Sequence, residues 1–142
     1  MFLKGYGDMN WVQIASASLG ALAHFYFAYM ETIGWGRNFV ETAAGSWIDR
    51  AAPREVAEAH IEWARKLAFN IGIYNLVLAF GLAWTAWAAE QPLAIFFSIW
   101  LLLAAVAAYH TKVYIAFYIQ GCLALGLLLP WLLPLLLSAF AH

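Results

Sequence analysis

His24 and Glu31 are the side chains of this sequence best suited to chemistry, because both sit inside an otherwise apolar run that begins at Trp11. Seven positions apart, they share one helix face two turns apart, about 10 Å along the axis at helical rise. A carboxylate in such a place is a candidate acid or base, and an imidazole a candidate relay or orienting group. The two would flank a small ligand, but would not touch each other without side-chain extension. Asn70, Tyr74 and Asn75 stand near the start of a second apolar run, and Tyr114, Tyr118 and Gln120 near the start of the last one. Asn70, Tyr74, Asn75, Tyr118 and Gln120 form the candidate ligand-binding frame. Polar side chains inside lipid are expensive, so their gathering at one depth points to a site. The same side chains could instead only hydrogen-bond across helices, each for well under ~2 kcal/mol. Glu31 weighs towards function, since a carboxylate at the centre of a membrane helix costs on the order of 2.5 to 3.5 kcal/mol on the insertion scale. It needs a partner, for which Arg65, Lys66 and Asn70 are the candidates.

Other chemistries find little support. A lone histidine is weak ground for a metal, and His60, His110 and His142 fall outside the apolar runs with no His-x-x-x-His spacing. No metal site is expected, although a haem or pigment bound at a subunit interface stays open. Lys66 and Lys112 lie only at the borders of the apolar runs, which argues against a Schiff base deep among them. There is no Ser-His-Asp arrangement, phosphate-binding glycine loop or pair of intramembrane carboxylates. The single cysteine, Cys122, has no partner for an intramolecular disulfide.

The elements that must position these residues follow from composition. Of 142 residues, 65% are hydrophobic and 11% charged, less than half the quarter expected of a soluble domain. Eight tryptophans among 18% aromatic residues exceed what a small soluble core hides without large apolar patches. The bilayer is the natural solvent. Seven Lys plus Arg against eight Asp plus Glu leave no surplus to neutralise phosphates, so nucleic acid is a poor partner.

The pattern predicts an all-α, integral membrane four-helix bundle in a single membrane domain over residues 1–142. Spans are expected at about 11–35, 67–89, 93–110 and 113–137, each long enough to cross a ~30 Å hydrocarbon layer, the third only just. The first is a retained helix, not a cleaved signal. In the fourth, Pro130 and Pro134 remove backbone donors and should bend or end the helix near Leu129. Residues 36–66 are the hydrophilic stretch. Pro53, Glu55 and Glu58 suit a helix start there and Glu62 with Lys66 an i,i+4 pair, so the second helix should extend into the cytoplasm.

Arg37, Arg50, Arg54, Arg65, Lys66 and Lys112 fall in the first and third connections, against Lys4 alone on the other side. The positive-inside rule therefore puts those connections in the cytoplasm and both termini outside, in a multi-pass protein of the inner (cytoplasmic) membrane. Trp11, Trp84, Trp87 and Trp131 then line the outer interface and Trp35 and Trp63 the inner one; Trp100 is the exception. Small residues at Ser16, Gly20, Gly72, Gly81, Ala104, Ala108, Gly121 and Gly126 permit close helix contact.

The strings Leu19 to Trp35 (LGALAHFYFAYMETIGW), Asn70 to Leu82 (NIGIYNLVLAFGL) and Ile119 to Leu129 (IQGCLALGLLL) resemble, in order and spacing, three blocks of the bacterial membrane family called domain of unknown function 1304. The resemblance implies a small four-helix membrane protein and supplies no activity. It rests on His24-Phe25-Tyr26 with Glu31, on Asn70-x-Gly72-x-Tyr74-Asn75 and on Gln120-Gly121. The chain departs from that pattern at Ala23, where the family usually has glutamate, and at Ile71, where it has glutamine. These losses remove two polar members of the family's polar cluster and suit a divergent member.

Two functions fit these observations. The first is an accessory or structural subunit of a larger membrane complex, partnered by lipid and by other subunits or copies of itself. The second is a small membrane enzyme or ligand-binding protein for an apolar molecule, isomerase-like or proton-transferring. It would use Glu31, His24 and the amide and phenol frame in the cytoplasmic half. The sequence does not decide whether the protein is an enzyme.

Overall fold

The computed structural model describes residues 8–34 and 53–140. Among these residues the chain is all-α: α1 (Trp11–Thr32), α2 (Arg54–Ala88), α3 (Gln91–His110) and α4 (Tyr114–Phe140). An isolated bridge between Asp8 and Glu90 joins no strands. α2, α3 and α4 are each long and apolar enough to cross a membrane. α1 has the length, at 22 residues, but with Gln13, His24 and Glu31 in it no stretch of it is as apolar as the best stretch of each of those three. Trp35 and residues 36–52, with Arg37 and Arg50, lie outside the described residues, so that part of the expected loop is not described.

One boundary follows the expected helix start at Pro53, and one differs from expectation. α2 is one unbroken helix of 35 residues, about 52 Å at helical rise. Its first turn is closed by the Pro53 carbonyl, which accepts from Val56 and Ala57 amides at 3.0 and 3.1 Å. No residue from 54 to 67 is buried. The pairs Arg54–Glu58 (2.7 Å) and Glu62–Lys66 (3.6 Å) are exposed and contribute little stability. The difference is in α4, which does not stop near Leu129 but continues through Pro130 and Pro134 to Phe140. Each proline forfeits one helical bond. Unwinding the segment in an apolar surround would instead leave a whole row of backbone groups unpaired, at several kcal/mol each.

The chain divides into two compact units, Met1–Leu22 with Phe80–His142, and Ala23–Ala79. In the first, α3 and α4 form a packed hairpin. Its turn is a Schellman closure: Val113 N–H donates to Ala108 O (2.9 Å), Lys112 N–H to Tyr109 O (3.1 Å), and Lys112 takes a left-handed φ of 61°. Gln91, Ala94, Ser98, Leu101 and Ala105 are the buried residues of α3, and Gln120, Ala124 and Leu127 those of α4. Their alternating spacing of three and four is that of a helix seam packed knobs-into-holes.

Three glycines in this unit mark close approaches. A Cβ on Gly20 would lie 3.2 Å from Leu82 Cδ1, one on Gly81 would meet the Phe97 ring, and one on Gly126 would overlap Ser16 Oγ. Gly121 faces open space, so the close contact expected there is not made; Ala104 and Ala108 are only half-buried. Gln13 ties α1 to α4, its side-chain amide donating to Leu127 O at 2.8 Å. The segment before α1 lies on the turn between α2 and α3, where Met9 N–H donates to Ala89 O at 2.9 Å. In the second unit, Gly72 of α2 meets α1: a Cβ there would be 2.6 Å from Thr32 Cγ2 and 3.3 Å from Ala28 O.

Candidate functional site

On α1, His24, Ala28 and Glu31 follow one another at spacings of four and three, so they line one face. Gly72, lacking a side chain, lets α2 come close to the Ala28 carbonyl, and Asn75 stands one turn further along α2. The consequence is a chain of two hydrogen bonds. His24 Nδ1 lies 2.7 Å from Asn75 Oδ1, and Asn75 Nδ2 donates to Glu31 Oε2 at 2.6 Å. One amide thus spans the gap that keeps the histidine and the carboxylate from meeting directly. It is also the partner of Glu31, in place of the Arg65, Lys66 or Asn70 expected. Arg65 and Asn70 are exposed, and Lys66 pairs with Glu62.

With Asn75 Oδ1 as the facing atom, a neutral imidazole meets it as a donor only with its ring proton on Nδ1, which leaves the lone pair on Nε2. His24 is fully buried, at 0% relative exposure. Nε2 has no hydrogen-bond partner among the described residues. The edge of the Phe27 ring system packs against the imidazole, with centroids 5.6 Å apart and planes perpendicular. Thr32 turns its hydroxyl back to Ala28 O at 2.6 Å. The arrangement can therefore receive a hydrogen bond at one oriented, buried nitrogen.

Among the described residues no three His, Cys, Asp or Glu side chains gather as metal ligands would.

The other sequence candidates are not all brought to this place. Asn70 is exposed, as are Tyr74 (73%) and Tyr118 (64%). Gln120 is buried but belongs to the other unit; its Oε1 has no partner among the described residues. Four polar residues given little or no weight in the sequence are also buried there: Gln13, Thr85, Ser98 and, at the start of α3, Gln91, whose Nε2 is likewise unpartnered among the described residues. Gln13 was legible in principle, since it begins the same face of α1 that carries Ala17, Gly20, Ala21 and His24. Gln91 sits beside Pro92 and Glu90, where composition signals only a turn.

No curated protein and no solved structure matches the chain. Residues 18–132, which include His24, Glu31, Asn75 and Gln120, match the family described as Protein of unknown function (DUF1304). The blocks around the site and the four helices thus carry a single family pattern through most of the chain, and the protein belongs to the DUF1304 family.

Proposed function

We propose that this chain is a four-span protein of the cytoplasmic membrane that binds a small, largely apolar molecule at His24. The observation that carries the reading is the buried Nε2 without a hydrogen-bond partner among the described residues, on a ring whose other nitrogen is held by Asn75. Buried polar groups are nearly always paired, and an unpaired one costs about 1–3 kcal/mol. Helix glue gains nothing from such an atom, whereas a ligand site needs one. α1 serves as the fourth span because two of its most polar side chains, Gln13 and His24, are buried in protein and so are not presented to lipid. Exposed Trp11, Trp84 and Trp87 suit an outer interface, and the exposed charged start of α2 suits the cytoplasm.

A second reading, an accessory subunit of a membrane complex, has its own observation. Trp100 is 52% exposed at the middle of the 20-residue α3, beside Phe96 with ring centroids 6.4 Å apart. Tryptophan favours the membrane interfaces, so an outward one at mid-span suits a neighbouring helix better than lipid.

One experiment addresses both readings. Wild type, His24→Ala and Glu31→Gln are extracted in mild detergent and examined by native mass spectrometry. The expected result is a small-molecule adduct on the wild type that His24→Ala loses and Glu31→Gln reduces, both remaining folded. Equal adduct on all three, or none on any, overturns the ligand reading; a stoichiometric foreign polypeptide supports the subunit reading, and its absence counts against it.

A further inference from the structure

The Glu31–Asn75–His24 chain has a polarity that a set of three polar groups need not have. An amide side chain presents an oxygen on one side and a nitrogen on the other, and by itself Asn75 could face His24 with either. Glu31 removes that freedom. Its Oε2, at 2.6 Å, takes the amide N–H, which turns Asn75 Oδ1 to His24 Nδ1 at 2.7 Å. The carboxylate therefore acts two groups away, on the position of the imidazole proton. An amide passes on orientation and does not pass on a proton, so the chain is a clamp and not a proton wire.

We propose that Glu31, through Asn75, locks His24 in the Nδ1–H tautomer, and that the site in consequence accepts only ligands bringing a hydrogen-bond donor, a hydroxyl or N–H on an otherwise apolar molecule. Glu31 is then a positioning residue. The lock stands on the two hydrogen bonds alone; the ligand class rests additionally on the proposed role of His24 as a binding site. A ligand offering only a carbonyl or ether oxygen would set acceptor against acceptor at Nε2. Reversing the amide would turn Nε2 into a donor and invert the preference, which is the difference the carboxylate makes.

The test is nitrogen NMR on histidine-labelled protein in detergent, at alkaline pH where the ring is neutral, with the His24 signals assigned by their loss in His24→Gln. In the wild type, Nε2 is expected to be pyridine-like and Nδ1 pyrrole-like. Glu31→Gln, whose side chain can either donate or accept, is expected to give a mixture of the two tautomers. The exchange variant E31Q/N75D, in which residue 75 can only accept, is expected to regain the wild-type pattern. The opposite tautomer in the wild type overturns the lock even if every variant fails to fold. So does an unchanged spectrum in folded Glu31→Gln, or a folded exchange variant that stays mixed. Phenol and its methyl ether, anisole, then probe the ligand class. Phenol is expected to shift the Nε2 signal and anisole to leave it in place. Equal shifts overturn the donor requirement, while no shift with either overturns the binding role of His24 and leaves the lock to the tautomer result.

Discussion

At the scale of single residues, two positions carry backbone strain that side-chain chemistry does not require. Ala89 and Lys112 have positive φ, 52° and 61°, a conformation that costs a residue with a Cβ roughly 1–2 kcal/mol. At Lys112 the Schellman closure of α3 imposes it, and glycine is the residue such a closure favours. Lys112→Gly should raise stability by about 0.5–1 kcal/mol after the greater chain entropy of glycine is subtracted, measured as the shift in unfolding midpoint in mixed micelles. Lysine at a position that favours glycine is consistent with its charge serving topology. The polar members of the site were the most legible residues of all, because a histidine or carboxylate in an apolar run stands out whatever the fold. Which of them meet was not legible. Asn70 and Asn75 are equivalent as residue types, and only Gly72, by admitting α1 to the α2 backbone, selects the second of them.

At the scale of elements, helix existence followed from hydropathy, and so did the described helix ends except the last. α4 shows why: the two prolines are visible locally, but the reason to remain helical past them is the surround, which a local signal does not contain. Packing between elements is set by small residues, and the tightest case is Gly126 under Ser16. Gly126→Ala would place a methyl on the Ser16 hydroxyl, with Ser16 Cβ itself 3.1 Å away, and overpacking of this kind costs about 1–3 kcal/mol. Ser16→Gly in the same chain removes both obstructing atoms. The double variant should therefore recover most of the loss, so that a thermodynamic cycle gives a favourable coupling between the two sites. Additive losses would show that the two helices do not meet there.

At the scale of the whole molecule, orientation is the property with the widest consequences, and it rests on charge counts in the connections. In a Cys122→Ala background, Glu90→Cys should react with a membrane-impermeant maleimide in intact cells. Lys112→Cys and Glu58→Cys should react only after the membrane is opened. The reverse pattern would invert the protein and move the His24 site to the outer half. Composition pointed to the membrane at once, and α2, α3 and α4 each have the length and an apolar stretch sufficient to cross one. The polarity of α1 is the feature that composition averages away, since its polar groups are spread along one buried face.

That face also carries a consequence in time. Gln13 finds its acceptor 114 residues later in the chain, at Leu127 O, so the first helix is made long before the group that satisfies it. At synthesis rates of about 5–20 residues per second the interval is roughly 6 to 23 s. Throughout it the amide of Gln13 must be served by something other than the finished protein. The nascent first helix is thus a client with a fixed waiting period, released when the last helix arrives.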